Sequence, residues 1–371
     1  MARICIVGPS HPYRGGIAHH TALLGRAMLS EHDLSVINFT RLYPDALFPG
    51  KTQYDTSDAP LDLPMARIVD SISPPSWLRA AQRIAEFAPD RVLFQWWHPF
   101  FAPAYRSLSW ALRRQCNAKQ IYLCHNVVPH ESSALNTTLV RTGLAGADAF
   151  VLHSQAERPA LERFARGRPI TVHPHPTYDA FGAQHRNRDE ARARLGLSGD
   201  VLLFFGYVRA YKGLMTALDA LPSILQQRHV TLVVAGEFYD DKQPYLDKIR
   251  SLGLEDRVRL FDEYIPNERV GDFFAAADLV VQPYVTATQS GISQLAFGFE
   301  KPVLATAVGG IPEAICDGKT GLLIQPLDPA ALSNAVLRFF TENLGPQMSE
   351  NIHRDRTANG WPQLAQVICT L

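Results

Sequence analysis

Short apolar runs alternate with segments of helical period along almost the whole chain. One series is Ile4–Val7, Leu34–Phe39, Arg91–Phe94, Ile121–Cys124, Ala149–Leu152 and Ile170–Val172. A second is Val201–Phe205, Thr231–Ala235, Val258–Phe261, Leu279–Gln282, Val303–Thr306 and Gly321–Ile324. Runs this short, apolar on both faces, predict parallel strands of βα units, because a strand covered by helices on each side has no solvent face. Each series is enough for one doubly wound sheet.

The pattern breaks between the series. Residues 173–200 are polar, carry Pro174 and Pro176, and show no strand signal. We expect a first Rossmann-like domain over 1–175, a linker with a short helix over 176–198 and a second domain over 199–345. A helix over 346–371 is expected to cross back to the first domain. A proline-rich stretch from Thr40 to Pro75 reads as irregular, and loops of that length inside domains are usually functional.

Composition narrows the class. The chain has 371 residues, 46% of them hydrophobic and 19% charged, which supplies a large core and excludes global disorder. Lys+Arg and Asp+Glu are 36 each, so there is no net field for a polyanion and nucleic acid is disfavoured as a partner. The five cysteines are widely spaced without a CxxC, which fits reduced, buried thiols rather than a disulfide or zinc framework. The first apolar run ends at Val7, too short for a signal peptide, and no run approaches the ~18 apolar residues of a membrane span. The expected location is cytoplasmic, with peripheral contact at the inner face of a membrane compatible with the basic, apolar segments Ser107–Cys116 and Ala191–Leu197. The ordinary reading of both segments is a packed helix with a solvated basic face.

Candidate chemistry collects just past strand ends. Gly15-Gly16 stand in the first βα loop, where glycine lets backbone approach a phosphate or simply makes a tight turn. His19 and His20 follow one turn into the helix and read as a surface pair. The second domain opens with FGYVRAYKG, which puts Arg209 and Lys212 on a loop at a strand's carboxyl end. Two cations there suit a diphosphate; the alternative is solvated loop charge. Thr288-Gln289-Ser290-Gly291 runs into a helix from Ile292, whose first amides would face an anion. Gln95–Pro103 and Cys124–Glu131 place His98 and His125 just past two strands. Of the adjacent Trp96 and Trp97, at least one must point into the core. No Asp-x-Asp and no GxSxG occur, and His173 and His175 have no further ligand at metal-like spacing.

The Gly15-Gly16 loop, FGYVRAYKG, KPVLATAVGGIPE and DGKTGLLIQPLDPAAL, in that order, resemble the pattern of family 4 glycosyltransferases across essentially the whole chain. The resemblance implies the GT-B fold, two Rossmann-like domains facing a central cleft. It implies a retaining, metal-independent transfer of a hexose-type sugar from a nucleotide-diphosphate donor to a glycan or lipid-linked acceptor, with no cofactor. It assigns the diphosphate to Arg209 and Lys212 and the donor sugar to His125. Gly15, Gly16, Glu237, Gln289, Ser290, Gly291, Ile292 and Gln294 fall to donor binding, and His98, Trp97 and Glu131 to the acceptor side, with no metal ligand. The family's Glu-x7-Glu pair falls on Ala287 and Leu295, so both carboxylates are missing, with Gln289 and Gln294 nearby as neutral substitutes. Two other readings remain: a GT-B nucleotide-sugar 2-epimerase, and a non-catalytic nucleotide-sugar-binding subunit.

Overall fold

The computed structural model describes residues 1–48, 50–128, 134–178, 180–181, 187–355 and 360–371. The chain forms two compact units, each built on one parallel sheet. Unit 1 holds Met1–Thr56, Pro60–Pro176 and the C-terminal helix; unit 2 holds Ser57–Ala59 and the chain from Thr177 onward that precedes that helix.

The strands of unit 1 are β1 (Arg3–Val7), β2 (Asp33–Arg41), β3 (Ala66–Asp70), β4 (Arg91–Trp96), β5 (Lys119–Cys124), β6 (Ala149–Leu152) and β7 (Ile170–Val172). Their order is β3-β2-β1-β4-β5-β6-β7. The switch point therefore lies between β1 and β4, and the loop after β1 carries Gly15-Gly16. The helices are α1 (Gly16–Leu29), α2 (Pro74–Phe87), α3 (Ala102–Gln115), α4 (Ala134–Leu144) and α5 (Arg158–Ala165). In α2, Pro74 and Pro75 take the first turn, where no amide is missed, and Trp77, Ala80, Ala81 and Ile84 form one buried stripe.

One strand was not expected. Thr40–Pro75 contains β3, which pairs only with β2, through register shifts at Asn38, Phe39 and Arg41. An edge strand needs only one covered side, so Arg67 and Asp70 fit there and the apolar run that marks the other strands is absent.

Unit 2 holds α6 (Arg188–Leu195), β8 (Asp200–Phe205), α7 (Leu214–Leu225), β9 (Val230–Ala235), α8 (Gln243–Ser251), β10 (Val258–Phe261) and α9 (Asn267–Ala276). It continues with β11 (Leu279–Gln282), α10 (Gly291–Gly298), β12 (Val303–Thr306), α11 (Ile311–Ala314), β13 (Gly321–Ile324), α12 (Pro329–Thr341) and α13 (Gly345–Asp355). The sheet order is β10-β9-β8-β11-β12-β13, so the switch lies between β8 and β11. The basic helix α6 is spent on unit 2 itself: Arg192 meets Asp278 at 2.7 Å and Arg194 meets Asp272 at 2.8 Å. The last helix, α14 (Trp361–Thr370), packs on α1 in unit 1. All five cysteines are free; Cys5 and Cys124 are buried, whereas Cys316 is exposed. No helix of the described residues is long and apolar enough to cross a membrane.

Candidate functional site

In unit 2 the switch point is built by the loop that leaves β8. Gly206, at φ 93°, turns the chain out of the strand, and Val208 then pairs with the loop after β9: its amide donates to the Glu237 carbonyl at 2.8 Å. Tyr207 stacks on Tyr239, with ring centroids 5.0 Å apart. Asp240 accepts the Ala210 amide at 2.6 Å and so fixes the single turn Ala210–Lys212. Gly213 closes it at φ 71°, and a Cβ there would lie 1.9 Å from the Pro283 carbonyl oxygen, so only glycine allows the loop to pass the end of β11.

This scaffold holds Lys212 in an unusual state. Its side chain is buried, with Nζ 3.8 Å from the centroid of the Tyr207 ring and 5.6 Å from that of Tyr284. Burial, and secondly the charge of Arg209, pushes its ammonium down to about 7. Among the described residues neither Lys212 nor Arg209 is paired with a carboxylate, and Arg209 Nε is buried without a hydrogen-bond partner. The two cations are thus held against the faces of tyrosine rings and not against carboxylates.

The start of α10 faces the same point. A Cβ on Gly206 would sit 3.2 Å from Lys212 Nζ and 3.4 Å from Ile292 Cδ1, which puts the cation and the first turn of α10 against one glycine. Ser290 caps α10 by accepting the Ile292 amide at 3.3 Å, and Gln282 orients both Ser290 and Ser293. Gly309, at φ 52°, presses on the Ala287 carbonyl, and the Gly310 amide donates to Thr288 at 2.8 Å, so the 287–290 turn is supported from behind. Gln289 Oε1 is buried without a partner, while Gln294 and Glu237 are buried nearby in the fold, on α10 and on the loop after β9. Ala287 and Leu295 are also buried.

A different pocket, of about 350 Å³, opens at the amino ends of β8, β11 and β12. Its cations all have partners in the fold: Arg188 meets Asp278, Arg228 meets Asp200, and Lys301 Nζ donates to the Ala275 and Ala277 carbonyls.

In unit 1, Gly15 takes φ 103° with open space around its Cβ position, and no side chain caps the helix that begins at Gly16. His125 is 2% exposed, and its Nε2 lies 2.6 Å from Gln95 Oε1. It does not stand alone. His20, His153 and His175 surround it, with the His20 and His125 rings 4.6 Å apart and the Trp361 ring against His20. His20 is therefore an interior residue and not a member of a surface pair, because α1 turns that face onto the sheet and α14. Likewise His175 is no isolated half of an extended pair: it joins this cluster, its ring 4.8 Å from that of His153. Trp96 is fully buried, whereas half-buried Trp97 donates to the Tyr43 hydroxyl at 3.0 Å within an aromatic group that includes Phe39 and Phe101. Exposed His98 caps the turn Pro99–Phe101, its Nδ1 accepting the Phe100 amide. Glu131 and His130 lie outside the described residues.

The two halves of the chain match two family models, Glycosyltransferase Family 4 over residues 14–179 and Glycosyl transferases group 1 over residues 199–342. Among curated proteins, D-inositol 3-phosphate glycosyltransferase of Streptomyces avermitilis is 34% identical over 238 residues, 60% of this chain and 51% of the relative. Mannosylfructose-phosphate synthase of Agrobacterium fabrum is 30% identical over 212 residues, 53% of this chain and 46% of the relative. The chain spans about half the length of the curated relatives it matches. Among solved structures, sucrose-phosphate synthase of Thermosynechococcus elongatus superposes with TM-score 0.75 at 18% identity, covering 100% of this chain and 98% of that one. Anabaena HepE in complex with UDP-glucose gives TM-score 0.77 at 18% identity, covering 100% and 99%. The fold of both units together is GT-B.

Proposed function

We propose that this chain, which belongs to the family 4, group 1 glycosyltransferases, is a retaining enzyme that moves a hexose-type sugar from a nucleoside diphosphate to a glycan or lipid-linked acceptor. The observation that carries the reading is the pair Arg209 and Lys212 beside the capped start of α10. As the glycosidic bond breaks, negative charge grows on the outer phosphate. Donors already in place, in a site that excludes water, stabilise that charge more than they stabilise the bound substrate.

Arg209 and Lys212 hold the diphosphate in this reading, with the Ser290–Ile292 turn beneath it. UDP-glucose is the first donor to try, since a protein of the same fold is known in complex with it. With Ala287 and Leu295 in place of two carboxylates, Gln289 and Gln294 are left to meet donor hydroxyls as neutral groups. His125 is assigned to the donor sugar, and Trp97 and exposed His98 to the acceptor. The sequence has no Asp-x-Asp to carry a magnesium-bound diphosphate, and the loop supplies cations, so transfer should survive excess EDTA.

The test is kcat/KM for Arg209→Ala and Lys212→Ala, with circular dichroism as the folding control. Removing one preorganised stabiliser costs on the order of 10²–10³ in rate. The double variant should lose less than the product of the single losses, because both cations act on one group. If each single variant keeps more than about a tenth of the activity, the diphosphate is not where this reading puts it.

A further inference from the structure

We propose that His20, His125 and His153 form a binding site for one divalent transition-metal ion of the zinc class, with His175 beside it. The proposal concerns unit 1 alone and does not rest on the transfer reading above; with one His125 nitrogen on Gln95 and the other on the ion, it stands against the assignment of His125 to the donor sugar.

One ring nitrogen from each of the three lies within 4.8 Å of the others, and all three residues are buried. His20 Nε2 and His153 Nε2 are 3.1 Å apart. Two imidazole nitrogens on one tetrahedral zinc, at ~2.0–2.1 Å each, sit about 3.4 Å from one another, so the pair is already near ligand spacing.

His153 Nδ1–H donates to the His173 carbonyl at 3.0 Å, His125 Nε2–H to Gln95 Oε1 at 2.6 Å, and His175 Nδ1–H to the Pro176 carbonyl at 2.8 Å. Each bond fixes the tautomer and leaves the opposite nitrogen with its lone pair. Ligating histidines are oriented in this way by carbonyl or carboxylate oxygens. Because His153 carries its proton on Nδ1, the proton between the two Nε2 atoms belongs to His20. That leaves His20 Nδ1 as a buried atom without a partner. Ion binding would move this proton to Nδ1 and turn both Nε2 lone pairs to the metal, with no net proton released.

Chemistry then selects the ion. All three imidazoles are buried, and the cluster contains nitrogen donors only. A set of nitrogens without carboxylate suits zinc, copper, nickel or cobalt and not magnesium or calcium.

The full chain, stripped with a chelator, is titrated with Zn²⁺ alone in competition with a chromophoric chelator, and bound zinc is counted after gel filtration. One ion per chain is expected. His20→Gln and His153→Gln should each weaken binding about 10–100-fold. Control variants His353→Gln and Cys369→Ser should not; the latter removes the Cys369 Sγ–His32 Nε2 pair, 3.2 Å apart, which is the obvious competing site. Circular dichroism and melting temperature check each fold. Should a variant not fold, Co²⁺ on the wild-type chain reads the same question: visible bands of a tetrahedral nitrogen site without thiolate charge transfer support the proposal. Zinc binding unchanged in both histidine variants, a thiolate band, or no binding by the wild-type chain each overturns it.

Discussion

Nucleotide binding should take up a proton at Lys212. In the free protein burial brings its ammonium to about 7, so at neutral pH roughly half the chains carry the charge. A diphosphate beside it favours the charged form and raises the pKa in the complex. The sign follows. Below pH 7 the free lysine is already charged and affinity is flat. Above pH 7 binding must protonate it, so affinity falls as pH rises, until the pKa of the complex is reached. At pH 8 about a tenth of free chains are charged, and UDP should bind about tenfold more weakly than at pH 6, or about 1.4 kcal/mol. The assay is calorimetric titration with UDP in two buffers of different ionisation enthalpy. Uptake should be about half a proton at pH 7 and about 0.9 at pH 8. Lys212→Met reports the titration of UDP itself and is subtracted. Equal proton uptake by wild type and Lys212→Met at pH 8 would refute the reasoning.

The close backbone passage at Gly213 makes a second prediction: Gly213→Ala, facing the Pro283 carbonyl at φ 71°, should destabilise unit 2 by at least about 2 kcal/mol in urea unfolding. A midpoint equal to wild type would show that the loop yields freely. The buried histidines make a third. His175 is pushed down to about 4 and His125 to about 3, whereas both bind protons near 6.5 when unfolded. The unfolded chain thus binds more protons between pH 6.5 and about 4, and stability falls as the solution is acidified through that window. His175→Phe should flatten the slope of stability against pH by up to about one proton, and an unchanged slope would remove His175 from the account.

Among the described residues, twelve of the thirteen strands follow apolar runs visible in the sequence, because a strand covered on both faces must be apolar throughout. β3 escaped because Arg67 and Asp70 break its apolar run and only Val69 among its residues is buried. The Arg209–Lys212 loop was legible for a related reason: it follows a strand end, and strand ends at a switch point are where ligands are met. The histidine cluster was not read, since its members are far apart in sequence and each looks ordinary alone. A signal did exist. His125 directly follows β5, His153 directly follows β6, and His173 directly follows β7 with His175 two residues on. β5, β6 and β7 are neighbours in the sheet, so their carboxyl ends bring these residues to one edge. Combining strand order with the residue after each strand would have found them.

The placement of α14 bears on how the chain is made. α1 leaves the ribosome before any strand of unit 2, yet the helix that packs on it is synthesised only after the whole of β8 to α13. Trp361, on that late helix, covers His20 and lies against His175. During synthesis the apolar side of α1 and the histidine rings beneath it must wait without their cover, while unit 2 has all its strands in hand first. Order of emergence and order of completion are therefore reversed: the half that begins earlier finishes later, and its interior stays open to water, to ions and to chaperones until α14 arrives.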